Sequence, residues 1–208
     1  GAKIYFQHMS TAGSVALIAA AKASGMSVTA EAAPHHFTLT DASCAGYDPL
    51  FKVHPPLRTD ADVAAVKAGL KSGALDAIAT DHAPHAPEEK ERPFDQAPPG
   101  MLGLEYALAL AFTELVDSDT AMTEADVIAA MSWHPARIAG LADHGSLLAE
   151  GSAANIAVID PLTTWTIDAS GGASRSRNVP YVGRSVRGKV RHTILFGEPV
   201  VVDGEVQR

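Results

Sequence analysis

A chain of 208 residues with a single cysteine, Cys44, can form no disulfide within itself and no cysteine-based zinc site. Any metal would have to be held by imidazole and carboxylate. Cys44 has no histidine-paired context and reads as inert. Long apolar runs are missing too. Nothing approaches the ~18 to 20 uninterrupted apolar residues of a membrane helix, and no basic stretch followed by an apolar core opens the sequence. No membrane contact is expected, and the expected location is the cytoplasm. Positive charge is scarce: 16 Lys and Arg stand against 24 Asp and Glu, a net charge of -8. That balance argues against a nucleic-acid surface, because phosphate binding relies on clustered cations that displace counterions. The one basic run, Arg175, Arg177, Arg184, Arg187, Lys189 and Arg191, alternates with small and β-branched residues and reads as a solvated strand-and-loop region.

Apolar residues make up 47% of the chain, enough for the core of one large domain or one and a half small ones. Six of the nine histidines, His8, His35, His36, His54, His82 and His85, fall in the first 85 residues, which points to chemistry there. Lys3 to Gln7 reads as a strand ending at His8, after which Ser10 and Thr11 offer N-caps to a helix running to about Ser24, with Gly25 as its stop. Ser27 to Glu31 is a second strand. Thr59 with Asp62 forms a capping pair, and Val63, Val66 and Leu70 repeat at helical spacing until Gly73. Leu75 to Ala79 is a third, buried strand.

Strands alternating with helices imply βα units and a parallel sheet, in which catalytic groups gather at the C-terminal strand ends. His8, Glu31 and Asp81 all lie at or just after such ends. Ala86 to Met101 reads as an ordered loop over the site. Further helices are expected at Leu104 to Val116, Thr123 to Met131 and around Pro135 to Leu141. After Gly145 the pattern changes to short alternating strands: Ala154 to Asp160, Thr164 to Ile167, Lys189 to Leu195 and Pro199 to Val206, the last holding an Asp203-Gly204 turn. Residues 1–145 are thus expected to form a (β/α) unit and 146–208 a β-strand appendage. Three βα units cannot close a barrel, because an open parallel sheet leaves an edge and a face uncovered, so a missing piece is expected.

The strongest local signal is Ala79-Thr80-Asp81-His82-Ala83-Pro84-His85, a carboxylate and two imidazoles at the end of an apolar strand. Such a carboxylate can ligate a metal and shuttle a proton during amide hydrolysis, although spacing alone also allows a polar turn. The segment Ile78 to His85 resembles the strand-eight motif of class I dihydroorotases of the amidohydrolase superfamily. Lys52-Val53-His54-Pro55-Pro56-Leu57-Arg58 and Glu31-Ala32-Ala33-Pro34-His35-His36 stand upstream at the family's spacing. Ala97-Pro98-Pro99-Gly100, Gly103-Leu104-Glu105, Arg177-Asn178-Val179-Pro180 and Gly188-Lys189-Val190 match downstream.

The resemblance implies a partial TIM-type (β/α)8 barrel, about strands six to eight with their helices, plus strands of a small β-sandwich. It implies a hydrolase that interconverts N-carbamoyl-L-aspartate and L-dihydroorotate in pyrimidine biosynthesis, with two zinc ions in the complete enzyme. Asp81 corresponds to the metal-ligating general base and acid, and His8 to the strand-six metal ligand. His85 corresponds to a residue binding the substrate carboxylate, and Pro99 and Gly100 to backbone that hydrogen-bonds the ring. His54 stands where the family usually has Asn. Glu31 is site-adjacent, either supporting a ligand from behind or serving as a weak extra ligand. His35, His36 and His82 read as structural supports, and His134, His144 and His192 as ordinary surface or capping residues. The family's His-x-His pair, bridging carboxylated Lys or Asp, strand-five His and substrate Arg are absent, so the missing half of the barrel is an expected partner, with a homodimer or aspartate transcarbamoylase as further candidates. The alternatives are a hydantoinase or allantoinase, and a non-catalytic scaffold for aspartate transcarbamoylase.

Overall fold

The architecture was read from a computed structural model, which describes residues 1–116, 122–145 and 147–207. Strand β1 (Ile4–Phe6) feeds helix α1 (Ala12–Ala23), whose first turn is closed by a Thr11–Ser14 capping box. Gly25, at φ 76°, turns the chain into β2 (Val28–Ala32). After the short helix α2 (Pro34–Thr38) and two 3-10 turns (Asp41–Cys44 and Pro49–Phe51) comes α3 (Asp60–Ser72), capped by Thr59 and ended by Gly73 at φ 75°. Asp62, paired with the Thr59 hydroxyl, also accepts the Ala12 backbone N–H at 2.8 Å, tying the start of α3 to the start of α1. Strand β3 (Ala77–Ile78) completes a parallel sheet in the order β1-β2-β3.

The 86–101 loop carries one helical turn, α4 (Pro87–Lys90). The helix expected from Leu104 begins later, at α5 (Ala107–Ala111), and runs on as a π-helical turn (Phe112–Val116). The next does the same: α6 (Glu124–Ile128) passes through a π turn (Ala129–Trp133) into α7 (His134–Ala139). Side-chain periodicity does not distinguish an i→i+4 from an i→i+5 ladder over one turn, so these widened turns have no sequence signature. Between the parallel sheet and the helices lies one core, built around Phe37, Val66, Leu75, Ile78, Phe112 and Leu115.

The C-terminal part is an antiparallel sheet of β4 (Ile156–Thr166), β5 (Ser185–Leu195), β6 (Glu198–Val202) and β7 (Glu205–Val206), paired in that order. The two strands expected on either side of Pro161 are one, interrupted by register shifts at Val158/Ile159 and at Asp160/Thr164, where the Asp160 carboxylate accepts the Leu162 and Thr163 N–H groups. A second core holds this sheet to the rest: Ile167, Tyr181 and Val186 pack with Leu57, Met101, Leu102 and Leu110. Two members of the basic run make ion pairs to the helices. Arg184 pairs with Glu114, which Lys67 of α3 also reaches, and the Arg187 guanidinium lies 5.7 Å over the Phe112 ring and 3.3 Å from Glu124. No described helix is long and apolar enough to cross a membrane.

Candidate active site

His8 and Asp81 follow the C-terminal ends of β1 and β3, and both have left-handed backbones, at φ 58° and φ 43°. A β-carbon is strained there, and Asp tolerates it better than His because its short carboxylate can satisfy nearby backbone. Such turns aim both side chains at the same space. His8 Nε2 lies 3.6 Å from Asp81 Oδ1, and His35 Nε2 lies 3.5 Å from Asp81 Oδ2. Glu31, the fourth residue of β2, stands behind His8 with Oε1 3.0 Å from Nδ1, close but without hydrogen-bond alignment, while Tyr5 donates its hydroxyl to the other Glu31 oxygen. The side chains of Glu31 and His35 are 3% and 2% exposed; those of His8 and Asp81 are about a quarter exposed. Burial, then the hydrogen bond to Glu31, pushes the Tyr5 phenol well above its ordinary range.

His35 and His36 pack ring on ring, with centroids 4.2 Å apart. Burial holds both neutral: His35 is lowered well below 6.5, and His36 is pulled down to about 4. His36 Nε2 lies 3.0 Å from the Pro55 carbonyl, a bond that joins this cluster to the Lys52–Arg58 segment. Thus His36 satisfies a loop carbonyl as expected, whereas His35 faces the Asp81 carboxylate.

A second cluster forms around His85. Its Nε2 lies 3.0 Å from the Pro99 carbonyl and its Nδ1 3.4 Å from Glu89. Gly100 sits so close that a β-carbon would come 2.7 Å from both Ala83 Cβ and His85 Nε2, and its N–H donates to the Lys52 carbonyl at 2.8 Å. Asn178 is buried and donates to the Ala83 and Gly100 carbonyls while accepting the His85 N–H. The structure therefore brings His85, Pro99 and Gly100 together. His54 joins them only through its own segment, because its side chain is exposed and makes no described hydrogen bond or ion pair. His82 accepts the Gly103 and Leu104 N–H groups on Nδ1.

Two contributors had little or no sequence signal. Asn178 stood in a recognised segment, but its partners lie 78 to 95 positions away. Lys90 lies in the 86–101 loop, which the sequence marks only as aperiodic, and is buried.

The donor chemistry fits a shared cation. Glu31 beside His8 Nδ1 favours the tautomer protonated there, which leaves a lone pair on Nε2 facing the lone pairs of Asp81 Oδ1. Two ligands of one tetrahedral ion held at ~2.1 Å sit roughly 3.4 Å from each other, near the separation found. Two donors do not make a closed site, and among the described residues no group of three or more His, Cys, Asp or Glu is arranged to hold a metal.

The facing His and Asp lie at strand ends of a parallel sheet, and residues 7–200 match the model of the amidohydrolase family, to which the chain belongs. Among curated proteins it is similar to the dihydroorotase of Pelotomaculum thermopropionicum, 48% identical over 203 residues, which covers 98% of this chain and 47% of that protein. The dihydroorotase of Streptomyces coelicolor is 43% identical over 206 residues, covering 99% and 48%. Among solved structures, the L-hydantoinase (dihydropyrimidinase) from Arthrobacter aurescens superimposes with a TM-score of 0.92 at 29% identity, over 100% of this chain and 47% of that one. The chain spans about half the length of the curated relatives it matches.

Proposed function

We propose that the whole protein is a dihydroorotase, reversibly converting N-carbamoyl-L-aspartate to L-dihydroorotate, with this chain forming the C-terminal half: barrel strands six to eight and part of a composite β-sandwich. The observation that carries this reading is the facing pair of His8 Nε2 and Asp81 Oδ1, 3.6 Å apart, in a chain 48% identical to a dihydroorotase.

In the hydrolytic direction Asp81 accepts the proton of the attacking water and returns it to the ring nitrogen as the amide C–N bond breaks. His35 faces the second Asp81 oxygen, and Glu31 orients His8. His85 meets the substrate carboxylate and the Pro99–Gly100 backbone meets the ring, while His54, exposed on the Lys52–Arg58 segment, stands where the family's substrate-contacting Asn would be. A zinc pair, held in part by His8 and Asp81 and otherwise by the upstream half, would lower the pKa of water and polarise the amide carbonyl.

Turnover of dihydroorotate by the full-length protein tests this. A kcat/KM at least ~100-fold above that for hydantoin is expected, a ratio that a site contacting a carboxylate can supply. Preference for hydantoin would overturn the assignment in favour of a hydantoinase, the reading that the Arthrobacter structure supports at its lower identity. A zinc-free full-length protein without turnover would point to a scaffold.

A further inference from the structure

Lys90 ends α4, is 7% exposed, and is the only buried lysine or arginine among the described residues. No carboxylate of the described residues is paired with it. Its Nζ donates instead to two backbone carbonyls, Pro98 O and Gly100 O, each at 3.0 Å. Burial, then the neighbouring Lys52 charge, pulls the ammonium down to about 8. Taking a cation out of water with only carbonyl dipoles as partners is costly, so what those carbonyls belong to matters.

They bracket Pro99. Two successive prolines remove two backbone N–H groups, so the Pro98–Gly100 turn can be fastened almost only through its carbonyls, by donors brought from elsewhere. Three side chains bring them. Lys90 takes the carbonyls on either side of Pro99, His85 lies against Pro99 O, and Asn178 shares Gly100 O. The single N–H left in the turn, that of Gly100, is engaged with Lys52 O. A cavity of about 300 Å³ lined by His85, Lys90, Glu91, Asp48 and Asn178 opens beside the Lys90 and His85 anchors. Without the ammonium, Pro98 O would lose its described donor and Gly100 O would keep only Asn178. Gly100 lies so near the His85 ring that a β-carbon on it would come 2.7 Å from Nε2, so a shift of the turn is felt directly at His85.

We propose that Lys90 is a positioning residue for substrate binding: its ammonium clamps the Pro98–Gly100 turn against His85 and thereby fixes the polar wall that meets the anionic cyclic amide. This rests on the dihydroorotase reading of His85, Pro99 and Gly100 and adds the group that holds them.

The test uses the full-length enzyme and the variants Lys90→Met, which keeps the length of the side chain without its donors, Lys90→Arg, which keeps donors, and His85→Ala. Lys90→Met is expected to raise the KM for dihydroorotate ~20-fold or more with kcat within ~3-fold of wild type, because uniform binding is lost and the proton-transfer groups are untouched. Lys90→Arg should recover most of that KM. A KM within twofold of wild type in Lys90→Met overturns the proposal, as does a loss in Lys90→Arg equal to that in Lys90→Met. Should Lys90→Met fail to fold, Lys90→Gln replaces it under the same criteria. His85→Ala separates the two layers. An unchanged KM there overturns the pocket reading itself, whereas a raised KM there with none in Lys90→Met overturns only the role of Lys90.

Discussion

Asp81 is held between two imidazoles, with one oxygen 3.6 Å from His8 and the other 3.5 Å from His35. In the full-length protein Asp81→Asn should lower kcat by at least ~1000-fold, since the amide keeps the volume but neither accepts the proton nor carries the charge. The melting temperature should move by only a few degrees, because Asn also accepts a left-handed backbone. Near-normal turnover would remove the proton-transfer role. His36 gives a pH prediction. Its folded value of about 4 lies below the ordinary 6.5, so between those limits the unfolded chain binds more protons than the folded one. Stability is therefore lost as pH falls through that window, by about 2 kcal/mol between pH 7.5 and 5 from this group, and is unaffected by it above. Urea midpoints at the two pH values should show the loss in wild type and a smaller one in His36→Gln; equal slopes would contradict it. His8 and Asp81 were legible as a facing pair because strand ends in a parallel sheet converge. That His35 rather than His36 faces the carboxylate was not, since tandem histidines after a proline carry no mark of which ring turns inward.

At the scale of elements, boundaries set by caps were readable: Thr11 and Thr59 start α1 and α3, and Gly25 and Gly73 follow their ends. The continuity of β4 across Pro161 was hidden, because a proline with an Asp before it reads as a turn, and only pairing with β5 keeps the strand whole. The arginine clamps were hidden too, as their acidic partners lie 63 and 70 positions away. The junction they guard has one tight point. Gly188 of β5 has φ 93°, and a β-carbon there would meet the buried Phe112 ring at 2.4 Å. Gly188→Ala should cost about 2 to 4 kcal/mol through overpacking and backbone strain together. Denaturant titration of the full-length variant measures this, and a change below ~0.5 kcal/mol would mean that the two layers are not pressed together here.

For the whole molecule, the open edges are the main physical fact. Among the described residues β1 pairs with β2 alone, and Ile4, Tyr5 and Phe6 are 46%, 37% and 39% exposed. The 208-residue chain by itself should expose this apolar edge, self-associate or bind a hydrophobic dye, and hydrolyse dihydroorotate at little more than background, because two ligands do not hold a hydrolytic zinc centre. Sedimentation, dye fluorescence and an activity assay check this, and turnover at a normal enzyme rate by the isolated chain would sink it. The left-handed turn at Asp81 also bears on how such proteins drift over generations. The residues that fit that backbone at least cost are Gly, Asn and Asp, and an Asp codon is a single base change from Asn or Gly codons. The fold therefore places almost no barrier between an active lineage and a silent one. A descendant could lose that carboxylate in one step and keep its backbone shape, so only demand for the chemistry of the carboxylate would keep an aspartate at this position.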